Sequence, residues 1–200
     1  MMTDSQTLDF APGVNDYLTE LKDVIDTVDV EEITHVMRRL LATYERRGSV
    51  YVFGNGGSAS TASHFVNDFN KGVSEHLEQG FRFYCLNDNV ATVMAVANDI
   101  SYEQVFALQL KNYLVDGDLV LAISGSGESP NVVEAVRYAS DRDIETIGLV
   151  GFDGGQLKKL ADHCIHVPVY DMQKVEDIHL VVNHVMMALF KEHLSAPVRA

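Results

Sequence analysis

The sequence predicts an α/β fold: a three-layer α-β-α sandwich on a five-stranded parallel sheet in flavodoxin-like order, with two helices ahead of it. Three observations predict it. Short apolar, β-branched or aromatic runs recur from Ser49 onward, helix-length stretches separate them, and the connections are short. Strand and helix alternating in this way imply a mostly parallel sheet covered on both faces.

The elements follow in order. "VNDYLTELKDVIDTV" spaces Val14, Leu18, Leu21, Val24 and Ile25 at three and four residues, and "EEITHVMRRLLATYERRG" repeats the pattern up to Gly48. These two helices, within 9–47, need a surface to cover, either the sheet or a partner subunit. Strands are expected at "VYVF" (50–53), "FRFYCL" (81–86), "LVLAI" (119–123), "TIGLV" (146–150) and "CIHVPV" (164–169). Helices are expected at about 59–70, 89–97, 102–114, 130–141 and 155–161. "VEDIHLVVNHVMMALFKEHL" forms a last helix, 173–194, with Ile178, Val182, Val185, Met186 and Leu189 as its apolar stripe, and "SAPVRA" follows as a frayed tail. With no repeat, low-complexity tract or linker, 1–200 reads as one domain with a sheet core at 49–170.

Composition narrows the function. An apolar fraction of 46% and a charged fraction of 22% are ordinary for a soluble globular chain. No apolar run approaches a membrane span, and "MMTDSQTLDF" has neither the basic nor the apolar region of an export signal, so the expected location is the cytoplasm. The net charge of −14, with no basic cluster, disfavours nucleic acid as a partner. It also repels anionic metabolites, so a phosphorylated substrate needs a local cradle. Cys85 and Cys164 each sit in a short apolar run and read as buried thiols rather than a disulfide framework.

The turn "GNGGSAS" after the first strand has three readings: a tight turn needing glycine, a dinucleotide site, or a phosphate-monoester cradle. Gly54, Gly56 and Ala59 match G-x-G-x-x-G/A, but the acid that should close the second strand is out of place, and Asn87 comes first there. The turn after the third strand, "SGSGESP", brings Ser124, Ser126 and Ser129 to another helix start. Hydroxyls and amide N–H groups at a helix N-terminus solvate a dianion without lysine. In flavodoxin-like order the first and third strands are neighbours, so the two turns flank one switch point. The pair favours the phosphate cradle.

"GNGGSASTASHF", "VANDISYEQVF", "DLVLAISGSGESPNVVEAV", "GFDGG" and "VEDIHLVVNH" together resemble the SIS (sugar isomerase) family, from about residue 10 to 192. The branch they resemble most is phosphoheptose isomerase, which interconverts sedoheptulose 7-phosphate and D-glycero-D-manno-heptose 7-phosphate. The resemblance implies that Asn55, Gly56, Gly57, Ser58, Ser124, Gly125, Ser126 and Ser129 hold the sugar phosphate and neighbouring hydroxyls, with Asp99 on the sugar. An exposed cap before "SYEQ" accounts for Asp99 equally well. The resemblance further implies a homotetramer with shared active sites and a divalent metal ion, zinc.

Aldose–ketose isomerisation moves a proton between C1 and C2 through an enediol, and needs a base and an acid or metal. His64 and Asp68 share a helix face four residues apart, a spacing that fits a metal pair or a surface ion pair. On the last helix Glu176 and His184 are offset by about 80°, so spacing alone does not nominate them. The resemblance does: it makes His64, Asp68, Glu176 and His184 metal ligands, Asp68 the general base and His184 the general acid, with Glu176 also at the substrate. His179 is expected to pack or cap. Three departures stand out: Asp68 and Glu176 occupy positions where the family usually has glutamate and glutamine, and Lys71 is its shifted basic residue. A second function class is a non-catalytic SIS regulator, known examples of which lack the acid and histidines kept here. A nicotinamide enzyme ranks last.

Overall fold

The computed structural model describes residues 8–194; the tail at 195–200 lies outside them. Helices α1 (Ala11–Ile25) and α2 (Val30–Glu45) precede the sheet strands β1 (Val50–Gly54), β2 (Phe83–Cys85), β3 (Leu119–Ser124), β4 (Glu145–Gly151) and β5 (His163–Val167). Between and after them come α3 (Gly57–Asn67), α4 (Val90–Asp99), α5 (Ala107–Tyr113), α6 (Pro130–Ser140), α7 (Gly155–Leu160) and α8 (Met172–Leu194). All pairings are parallel, in the order β2-β1-β3-β4-β5, the flavodoxin-like order expected.

Alternation along the strands divides the core in two. Val52, Leu121, Ile123, Ile147 and Leu149 face a layer made by α2, α3 and α8, while Tyr51, Phe53, Val120, Ala122 and Val150 face α4 to α7. The inner strands β1, β3 and β4 are buried on both faces, apart from Glu145 at the start of β4, because each face carries helices. Local signals set the helix starts: Asp29 accepts the Glu31 N–H (2.8 Å) ahead of α2, Asn89 accepts that of Thr92 (3.1 Å) ahead of α4, and Pro130 opens α6. α2 is fastened to the sheet by the Arg39–Glu145 ion pair and by Glu32, which accepts the His166 N–H (2.9 Å).

α1 covers little. Phe10, Val14 and Leu18 remain 69%, 54% and 48% exposed, and Val181, Val185 and Leu189 on α8 are also exposed. Of the two surfaces expected for the first helices, the sheet receives α2, and α1 is left with an open apolar face. Cys85 and Cys164 are free and half-buried; burial is the main cause that pushes their thiols up to about 12 and about 11. No helix among the described residues is long and apolar enough to cross a membrane.

His179 packs, one of the two roles expected of it. It is fully buried, neither ring nitrogen finds a partner among the described residues, and burial pulls its pKa from 6.5 to about 4. A base with a depressed folded value contributes stability above its unfolded value of 6.5, and loses it as pH falls towards 4. Relative to His179→Met, the protein should therefore lose about 3 kcal/mol of stability between pH 7 and pH 4. Urea titrations of both proteins across that range measure it; parallel pH profiles would contradict the assignment.

Candidate active site

Two turns build the first half of the site. β1 leaves the sheet at Gly54, and the chain reverses at Gly56 (φ 56°), the residue that caps α3. Ala59 and Ser60 return their N–H groups to the Gly56 carbonyl, so those of Gly57 and Ser58 precede the helical ladder and have no acceptor within it. β3 ends at Ser124, whose Oγ lies 3.2 Å from Ser129 Oγ and accepts the Gly127 N–H at 3.1 Å. Ser126 Oγ accepts the Glu128 N–H at 3.2 Å. Gly54 pairs with Ile123 across β1 and β3, which sets the turns side by side.

The turns close on a single cleft of about 260 Å³, lined by all eight turn residues that the resemblance assigned to the phosphate: Asn55, Gly56, Gly57 and Ser58 from one, Ser124, Gly125, Ser126 and Ser129 from the other. Met172 and Glu176 of α8 complete it, and no lysine or arginine enters. Such a cleft binds an anion through neutral dipoles and the N-termini of α3 and α6. Asn55 is already engaged: its amide exchanges bonds with Asn131 (2.8 and 2.9 Å) and accepts from Tyr102 (2.9 Å), which leaves one N–H for a ligand. Sequence reasoning did not single out Asn131 and Tyr102, although both lie within the motifs quoted for the resemblance.

α3 and α8 run side by side in the same direction, and their contacts build the second half. Near both N-termini Glu176 rests on Gly57, so closely that a Cβ there would lie 2.2 Å from Glu176 Oε2. Two turns on, His64 Nε2 and His184 Nε2 are 3.1 Å apart, at 3.3 and 3.7 Å from Asp68 Oδ2. Asp68 is buried, the two imidazoles are open, and the three donor atoms converge. Asn183 Nδ2 donates to Asp68 Oδ2 at 2.7 Å, and Asn67 Nδ2 to Oδ1 at 3.2 Å. Asn183 is another residue that the sequence did not signal.

Asp68 also begins a π-helical turn, Asp68–Val73, where one continuous helix to residue 70 was expected. A wide turn re-aims the side chain at its start, and such turns recur at functional sites.

The donor separations suit a divalent ion. Tetrahedral bonds of about 2.0–2.2 Å put ligand atoms roughly 3.3 Å apart, inside the observed spread of 3.1 to 3.7 Å. Two imidazoles and a carboxylate suit zinc among other metals. Glu176, expected as a fourth ligand, is not among the converging donors. The offset around α8 turns it to the α3 N-terminus, where its charge meets the positive end of the helix dipole. Asp99, expected on the sugar, ends α4 exposed, accepts from Asn98 (2.8 Å) and is not among the residues that line the cleft. Lys71 pairs with Glu75 at 2.7 Å, also outside the cleft.

A cleft of serine hydroxyls and free amides at the switch point of a parallel sheet, two helical turns from an imidazole–carboxylate trio, defines the class: a doubly wound α/β domain with its site at the C-terminal ends of the strands. The SIS domain pattern matches residues 15–151. The chain belongs to the SIS domain family and, within it, to the phosphoheptose isomerases. It is 34% identical to phosphoheptose isomerase of Helicobacter pylori, over 82% of this chain and 85% of that one. Its fold superposes on phosphoheptose isomerase of Neisseria gonorrhoeae with a TM-score of 0.85 at 26% identity, covering 92% of this chain and all of the other. The enzyme of Francisella tularensis gives the same TM-score at 25% identity.

Proposed function

We propose that the chain interconverts sedoheptulose 7-phosphate and D-glycero-D-manno-heptose 7-phosphate by proton transfer through an enediol. The observation that carries this reading is the placement of the trio along the seam between α3 and α8, whose N-terminal ends border the cradle. From Gly57 to His64 the rise along α3 is about 10 Å. An extended seven-carbon chain phosphorylated at C7 carries C2 about 9 Å from phosphorus, at roughly 1.3 Å per bond. A phosphoryl group in the cleft thus leaves C1 and C2 at the depth of His64, whose Nε2 lies 3.3 Å from Asp68 Oδ2. The similarity to proteins named phosphoheptose isomerase supports the same substrate.

The Gly57 and Ser58 amides with the hydroxyls of Ser58, Ser124, Ser126 and Ser129 hold the phosphoryl group, with the remaining N–H of Asn55 beside them. Asp68, ionised, takes the C1 proton of the ketose while the His184 imidazolium protonates O2. The enediol then collapses: Asp68 returns its proton to C2, and neutral His184 takes the proton from O1, which leaves the aldose and restores both side chains. His64, Asp68 and His184 would hold the ion, with zinc as its probe; when bound it would supply Lewis-acid polarisation of the sugar carbonyl. Coordination and proton transfer draw on the same lone pairs of Asp68 and His184, so a chelator separates the two roles. The exposed apolar faces of α1 and α8 support a subunit interface, and the family resemblance makes the assembly a homotetramer. The single domain and the cytoplasmic location follow the same reading.

The test is conversion of sedoheptulose 7-phosphate followed by NMR, with and without chelator. Aldose should form, conversion should fall on chelation, and zinc should restore it. Turnover indifferent to chelation would confine the trio to proton transfer. A protein that binds ketose phosphates but converts none would be a regulator instead.

A further inference from the structure

Asn183 presents a problem that stability does not solve. It is fully buried on α8, its Oδ1 has no partner among the described residues, and its single side-chain hydrogen bond goes to Asp68 Oδ2 at 2.7 Å. A buried amide with an unmade acceptor costs folding free energy, and a leucine of nearly the same shape would avoid that cost. The bond it does make is the shorter of the two that amides give Asp68, and the only one from a buried donor. It ends on the oxygen that faces both imidazoles.

We propose that Asn183 is a positioning residue: it fixes the Asp68 carboxylate so that Oδ2 stays aimed at the gap between His64 and His184. The proposal rests on the reading of Asp68 as base and ligand given above. Three features make the amide suited to it. Its Nδ2 end must face an ionised carboxylate, because the Oδ1 end would be repelled, so the pair has one orientation. Asp68 stands at the start of the π-helical turn, its N–H shared between the His64 and Phe65 carbonyls where the ladder of α3 widens. And Asn183 directly precedes His184, so one hydrogen bond sets Asp68 and His184 relative to each other across the α3–α8 seam. Partners of this kind, which touch the ligand and not the substrate, orient metal and catalytic groups in general.

Asn183→Leu tests it, with Asn183→Ala as a second variant should the leucine not pack. The measurements are kcat and KM on the ketose phosphate, Co²⁺ affinity by competition with a chromophoric chelator, and the thermal midpoint. The expected result is a kcat lower by about 10- to 100-fold, Co²⁺ affinity weaker by a similar factor, and KM within about twofold. The leucine variant should melt at or above the wild-type temperature. Unchanged kcat and Co²⁺ affinity in a folded variant would overturn the proposal, as would a rise in KM alone, which would make Asn183 a substrate contact. The Co²⁺ arm needs no substrate. If the wild-type chain converts no sugar, that arm still decides on Asn183 while the isomerase reading fails by itself.

Discussion

Asp68→Asn should lower kcat by about 10²- to 10⁴-fold, the usual worth of a positioned general base. The amide has the shape of the carboxylate and keeps an oxygen for the Asn183 N–H, so folding should survive. KM should change little, because none of the cleft residues around the phosphoryl group moves. His184→Gln should act in the same direction, since it removes the proton donor and one converging nitrogen together. Steady-state kinetics on both variants, beside their circular dichroism, measure this. If either keeps more than a tenth of wild-type turnover, its role as base or acid is wrong.

Gly127→Ala should be the most damaging small substitution outside the trio. Gly127 has φ 67°, a conformation that costs a side-chain-bearing residue about 1–3 kcal/mol. An added Cβ would lie 2.0 Å from the Gly154 carbonyl oxygen, which is backbone and has no rotamer to yield. The same residue receives the Leu157 N–H (2.9 Å) and gives its own to Ser124, so it clamps the serine turn onto α7. Strain and overpacking together should cost about 3 kcal/mol, or about 10 °C in thermal midpoint, with phosphosugar affinity reduced as well. Gly56→Ala is the control. Its φ is 56° but a Cβ there meets nothing within 4 Å, so only the backbone strain of about 1–3 kcal/mol remains, without the overpacking. Equal losses at both positions, read by calorimetry, would show that the contact with Gly154 does not matter.

Much of this arrangement is legible in the sequence because local chemistry dictates it. The five apolar runs became β1 to β5, and the glycine and serine turns meet because parallel neighbours must leave the sheet on the same edge. His64 and Asp68 share a face as their spacing requires. What the sequence hides is set by tertiary contact. The expected strand at 81–86 is only three residues long: the Asn70 amide bonds both Phe83 backbone groups, at 2.8 and 2.9 Å, and shields the sheet edge there. The expected helix at 102–114 breaks into a short 3₁₀ turn and α5, with Val105 and Phe106 buried at the break. The π-helical turn after Asn67 lies where Gly72 meets Met187 of α8, so closely that a Cβ would be 2.6 Å from the methionine methyl. Nothing in "NDFNKG" announces a partner more than a hundred residues away. The same holds for Asn183, whose role depends on Asp68 across the helix seam, and for Glu176, whose direction depends on Gly57.

The most direct test is a crystal structure with the ketose phosphate bound to Asp68→Asn, which should hold it without turning it over. Phosphorus should lie in the cleft between Gly57 and Ser124, with C1 and C2 about 3–3.5 Å from the side chain at position 68. A phosphoryl group bound in another cleft, or a sugar whose C1 end points away from His64 and His184, would contradict the account.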